Sequence, residues 1–160
     1  EFRRVLFRSR MIDKLMYRHW DHFVEEIPHP FIAVFDGKSI SGVTDILEGE
    51  PYESPTLPLS GIEQLSWSPD GKKVLYACRK VVGREYAYST NTDIYLYDID
   101  ARSHENLTEG MMGYDTDPLF SPDGNHISWL SIERAGFEAD KHKLFIMNLP
   151  TKEKRDLTKD

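Results

Sequence analysis

The chain has 160 residues, of which 39% are hydrophobic and 12% aromatic, enough apolar material to bury a globular core. Its 20 Lys and Arg stand against 27 Asp and Glu, a net charge of −7 that argues against a phosphate backbone as partner, so no nucleic acid is expected. The single cysteine, Cys78, excludes an internal disulfide framework and a Cys-x-x-Cys metal knuckle but does not separate oxidising from reducing compartments. No stretch approaches the roughly 18 apolar residues of a membrane-spanning helix.

Residues 1–9, Glu-Phe-Arg-Arg-Val-Leu-Phe-Arg-Ser, read as the conceptual translation of a short-read sequencing adapter and are set aside from fold reasoning. Without them the chain is more acidic still, and its natural N-terminus, with any targeting signal, is expected upstream. Met11 to Glu26 fits either a helix or two short strands. Phe31-Ile32-Ala33-Val34-Phe35-Asp36, followed by Asp45-Ile46-Leu47, is then a faint copy of a pattern that recurs twice below.

The two strong copies lie 53 residues apart: Leu65 to Tyr76 matches Pro118 to Trp129 around a shared Ser-Pro-Asp-Gly, Ser68-Pro69-Asp70-Gly71 and Ser121-Pro122-Asp123-Gly124. Downstream, Asp93 to Asp98 matches Lys143 to Asn148, and Glu105-Asn106-Leu107-Thr108 matches Arg155-Asp156-Leu157-Thr158, both 50 residues on. Repeats of this length mark propellers and solenoids. Each copy reads as four strands, a to d, near Glu63–Trp67, Lys73–Cys78, Asp93–Ile99 and His104–Leu107 in the first. Ser-Pro-Asp-Gly closes the a-to-b hairpin: proline presets φ, aspartate bonds back to the backbone, and glycine accepts positive φ. Strand c, Ile94-Tyr95-Leu96-Tyr97, is apolar on both faces, so its sheet must be covered on both sides. The expected fold is all-β, a partial β-propeller of two four-stranded antiparallel blades (60–108 and 114–160) plus part of a preceding blade (10–48).

In Met16-Tyr17-Arg18-His19-Trp20-Asp21, Ser89-Thr90-Asn91-Thr92-Asp93-Ile94 and Gly136-Phe137-Glu138-Ala139-Asp140, taken in that order, the sequence resembles the propeller of the prolyl oligopeptidase family of serine peptidases, in its dipeptidyl-peptidase and acylaminoacyl-peptidase-like branch. The Ser-Pro-Asp-Gly turns alone look equally like TolB-type and other WD-like repeats. The family resemblance implies a propeller that precedes an α/β-hydrolase domain, gates peptide access to its active site, and helps orient a peptide's N-terminal part. It implies a peptide substrate and that hydrolase domain as partners. Asp160 is expected to fall before such a domain. Gly37-Lys38-Ser39-Ile40-Ser41 approaches a nucleophile elbow but has serine where the second glycine belongs, and no catalytic triad can be assigned. The segment itself is therefore expected not to hydrolyse peptides. The rival from another class is a TolB-like interaction propeller with no enzyme attached.

Within a blade the b-to-c and d-to-a connections share one end of the sheet. The b-to-c connections, Arg79 to Thr92 and Glu133 to His142, are long for hairpins and are where binding function is expected. Arg84, Glu85, Arg134, Glu138 and Asp140, with Tyr114 and Asp115 of the d-to-a loop, are the residues expected to face a substrate chamber or the hydrolase domain. The alternative is that they are solvated, or that they hold neighbouring loops by salt bridges. His19 and His22 have the spacing of a metal pair, yet in one strand they would point to opposite faces, so packing is favoured and no metal or cofactor is expected. Cys78 alternates with Val74 and Tyr76 and reads as a small buried hydrophobe. Asn106-Leu107-Thr108 fits a glycosylation sequon but lies in a predicted strand. Open sheet faces predict that the chain alone self-associates.

Overall fold

The computed structural model describes residues 11–58 and 60–159, so the adapter assignment of residues 1–9 lies outside the described residues. Strands β1 (Arg18–His19) and β2 (His22–Phe23) form a minimal hairpin, and β3 (Phe31–Phe35) and β4 (Ile40–Asp45) a longer one. Then come two antiparallel four-stranded meanders. The first runs β5 (Leu65–Trp67), β6 (Lys73–Cys78), β7 (Asp93–Asp98), β8 (Ser103–Asn106); the second runs β9 (Asp115–Phe120), β10 (His126–Ser131), β11 (Lys143–Asn148), β12 (Lys154–Asp156). No α-helix occurs among the described residues; Ile62–Gln64 and Glu85–Ala87 are single 3-10 turns. The ambiguous Met11–Glu26 segment resolves toward strands.

The repeat is reproduced atom by atom. In the first turn the Ser68 hydroxyl donates to Asp70 at 2.6 Å while accepting from the Lys73 amide at 2.9 Å, and Gly71 sits at φ +69°. Fifty-three residues on, Ser121 donates to Asp123 at 2.6 Å and accepts from the His126 amide at 2.9 Å, with Gly124 at φ +71°. These bonds hold both aspartates below the usual carboxylate range, Asp123 at about 2. At the end of strand d the Thr108 hydroxyl accepts from the Ile94 amide at 3.0 Å, as Thr158 does from Leu144 at 3.3 Å. In the sequon, Asn106 turns its amide onto Asp93 at 3.0 Å, a structural use of that side chain.

The central sheet is packed on both faces, as strand c requires. Leu75 and Ala77 of β6 and Ile94 and Leu96 of β7 form one core with Ile127, Trp129 and Met147 of the next sheet. The intervening residues Val74, Tyr76, Cys78, Tyr95 and Tyr97 point the other way, against Ile46 and Leu47, which follow β4. Burying a side chain such as Leu75 contributes about 1.5–3 kcal/mol, and the alternation requires two neighbours to collect it. Sheets stacked face to face in succession are the blades of a β-propeller, two complete and a two-stranded part of a preceding one. The outer ends are open: Phe31, Val34, Phe35, Ile40 and Val43 on the first hairpin and Leu119 on the last sheet are each more than half exposed.

Candidate functional site

The two complete blades meet at the end that carries the b-to-c loops. There Thr92 and Tyr114 form an isolated parallel bridge, with the Thr92 amide donating to Gly113 at 3.2 Å and the Asp115 amide to Thr92 at 3.3 Å. Gly113 is required by close approach, since a Cβ there would sit 1.4 Å from the Ile132 carbonyl oxygen. Next to this seam a cavity of about 390 Å³ opens, lined by Ser60, Arg79, Thr90, Tyr114, Asp117 and Glu138 among others. The Tyr114 hydroxyl accepts from Gln64 Nε2 at 2.8 Å and lies 2.7 Å from Ser60 Oγ and 3.1 Å from Thr56 Oγ1, so it ties residues 56–64 to the start of β9.

Arg79, just past the end of β6, is the cation of this cavity. Its guanidinium stacks on the Tyr86 ring at 5.0 Å, and its Nε–H is buried without an acceptor. Burial lowers its pKa, against the opposing pull of Glu53, Tyr114 and Glu138. Asp117 enters the same cavity from a bulge in β9, where the pairing with β10 shifts register and Asp117 itself adopts φ +53°. A non-glycine residue in that region is strained, and such strain gathers at functional sites.

Of the seven residues singled out from sequence, Tyr114 and Glu138 come together at this cavity. Arg134 and Asp140 instead pair with each other, Nε to Oδ2 at 2.9 Å, with the guanidinium 3.9 Å from the Phe137 ring. That geometry is the loop-holding alternative. Arg84 and Glu85 are exposed on the 3-10 turn of the other b-to-c loop, away from the cavity. Asp115 is fully buried as the first residue of β9 and so lines no surface: only its backbone reaches the seam, and neither carboxylate oxygen finds a partner of good geometry. Burial pushes its carboxyl up to about 6, with the Ser131 and Thr108 hydroxyls pulling the other way.

A second polar cluster was not assembled by sequence reasoning. His19 and His22 are cross-strand partners in the β1–β2 hairpin, not members of one strand. His19 Nε2 lies 3.2 Å from Glu53 Oε2 and 3.3 Å from the Tyr86 hydroxyl, which in turn donates to Glu53 Oε1. Glu53 is 4% exposed, and burial pushes its carboxyl up to about 7 despite Arg79 nearby. Burial, with Arg79 as a smaller cause, holds His19 below its ordinary value. Cys78 is fully buried, and its thiol is pushed up to about 12, the chemistry of a packed and unreactive side chain. The only warning in the sequence was polarity at the ends of apolar runs: Arg79 follows Cys78 directly, and Glu53 sits between Tyr52 and Ser54.

No protein-family model matches the chain. Over 143 residues, 89% of its length, it is 54% identical to dipeptidyl-peptidase 5 of Porphyromonas gingivalis, and over 139 residues, 87% of its length, 50% identical to dipeptidyl-peptidase 5 of Porphyromonas endodontalis. These relatives, with the stacked sheets, support a fragment of the propeller of the prolyl oligopeptidase family. The chain spans about a fifth of those relatives, 21% and 20% of their lengths. Among solved structures it matches dipeptidyl peptidase 4 of Porphyromonas gingivalis with a TM-score of 0.51 at 11% identity, covering 79% of this chain and 24% of that one. It also matches TolB of Acinetobacter baumannii with a TM-score of 0.51 at 24% identity, covering 81% and 26%. At those identities the two structures speak for the propeller fold alone.

Proposed function

We propose that this propeller segment serves a dipeptidyl peptidase, gating peptide access to an α/β-hydrolase domain and docking that domain with the loop end that carries Tyr114 and Glu138. The single observation behind this reading is the 54% identity to a dipeptidyl-peptidase 5 over nearly the whole chain. Peptide and hydrolase domain are its partners in the reading. The chemistry of bond cleavage is assigned to that domain, and the blades contribute walls, polar anchors and size exclusion. The matching TolB fold supports the second reading, an interaction propeller without an enzyme, through shape only.

The test is to express the full-length protein and assay dipeptide release from unblocked oligopeptides and their N-acetylated forms. Sequential release from free N-termini, and none from a folded protein substrate, is the expected result. A full-length protein with no Gly-x-Ser-x-Gly elbow and no peptide cleavage would establish the interaction propeller instead.

A further inference from the structure

A two-stranded hairpin is marginal by itself, so what it buries against the body decides whether it docks. Of the described residues 17–24, His19 alone is buried; Tyr17, Trp20 and Phe23 turn their rings largely to solvent. The chain is gripped by the body just past the hairpin, where the Pro28 carbonyl accepts from the Ser54 amide at 3.0 Å and that of Pro30 from Ile46 at 3.2 Å. His19 Nε2 meets Glu53 Oε2 at 3.2 Å, and its ring lies 5.7 Å from that of Tyr86. Cavities flank this contact, about 550 Å³ toward Phe23, Leu57 and Pro58 and about 120 Å³ toward Met16, Val82 and Tyr86, so close packing does not back it up.

The hairpin is thus docked through an ionisable pair. Nε2 and Oε2 can hold one proton between them and leave the pair neutral, as imidazole and acid or as imidazolium and carboxylate. Without that proton the pair buries a net negative charge. Arg79 is close, yet burial outweighs its pull and the Glu53 carboxyl rises to about 7. A second proton is resisted too, since burial and Arg79 lower His19. Other groups face the pair: His22, Glu25 and Glu26 line the larger cavity, Tyr86 donates to Glu53, and the Cys78 thiol donates to the Glu53 carbonyl at 3.4 Å. The two further carboxylates add negative potential to the corner, which favours the protonated pair.

We propose that the β1–β2 hairpin is a pH-operated strap, closed on Glu53 and Tyr86 while the His19–Glu53 pair holds a proton and released when the pair loses it. Release uncovers Glu53 and takes His19 off the Tyr86 ring, on which Arg79 stacks at 5.0 Å, so the strap's position is felt in the loop after β6. The device does not depend on the peptidase reading.

The test is double electron–electron resonance on the full-length protein, with nitroxides on Trp20→Cys and Asp100→Cys, exposed positions at the hairpin tip and in the turn between β7 and β8; Cys78 is buried and stays unlabelled. One narrow distance is expected at pH 5, and at pH 8 a second, broader population, the open-to-closed ratio rising at least about tenfold. Glu53→Gln should stay narrow at both pH values, and His22→Gln should respond as the wild type does, which separates the buried pair from the exposed histidine beside it. A wild-type distribution that is the same at pH 5 and pH 8 overturns the strap, a readout that needs no variant to fold. So does a response that survives Glu53→Gln, or one that vanishes in His22→Gln.

Discussion

Glu53 is the residue whose titration should be visible from outside. Its carboxyl rises from 4.5 to about 7 because it is buried between the β1–β2 hairpin and the b-to-c loop, where it touches His19 and Tyr86. A folded-state value above the unfolded one means that the folded form holds a proton the unfolded form has released. The stability it contributes is complete below about pH 4.5 and is lost as pH rises through about 7. At 1.36 kcal/mol per unit the whole loss is about 3 kcal/mol, or roughly a hundredfold in a local opening equilibrium. His19 has the opposite sign: its value lies below the ordinary one, so its contribution is present above 6.5 and lost as pH falls. The Tyr86 hydroxyl and Arg79 also face Glu53.

Glu53→Gln isolates the carboxyl, because glutamine imitates the protonated form and can still accept from Tyr86. The assay is amide hydrogen exchange at Val24 and Ser54, whose N–H groups donate to Tyr17 at 3.0 Å and Pro28 at 3.0 Å and tie this corner together. Between pH 5 and 8 the ratio of wild-type to variant protection should fall about a hundredfold at these amides, intrinsic exchange cancelling in the ratio. It should stay constant at β6 amides, in the doubly packed sheet. A ratio that does not change with pH at Val24 and Ser54 would refute the buried-carboxyl account.

Other outcomes follow from the same geometry. Gly113→Ala forces a methyl onto the Ile132 carbonyl and should cost more than 3 kcal/mol in urea denaturation, or prevent folding; a loss below about 1 kcal/mol would mean the seam between blades is soft. Asp115→Asn removes a buried, unpaired charge, so it should stabilise the protein at pH 8 by about 2 kcal/mol and have little effect at pH 4, because Asp115 raised to about 6 loses its stabilising proton as pH rises through that value. Equal effects at both pH values would contradict this. Expressed alone, residues 10–160 should self-associate through the open hairpin and last-sheet faces, and a monomer by analytical ultracentrifugation at micromolar concentration would count against that.

The repeat, the Ser-Pro-Asp-Gly turns and the doubly apolar strand c were legible in order along the chain, because turn chemistry and period-two burial are local properties. They were enough to demand stacked sheets. The site was less legible. Tyr114 and Glu138, chosen because they lie in loops at one end, do line one cavity, but Asp115 next to Tyr114 is the first residue of β9 and is buried, and Arg134 finds Asp140 within its own loop. Residue type and spacing determined the strands, the blades and the end of the sheet where polar loops gather. Only the packing of one blade on the next decided that the Arg79 Nε–H would be buried without an acceptor, that Asp117 would be turned by a bulge, and that Glu53 would share a buried corner with His19 and Tyr86. The reason is that desolvation depends on which surfaces close over a group, and those surfaces come from residues far away in the chain, 33 positions for Glu53 and Tyr86 and 67 for His19 and Tyr86.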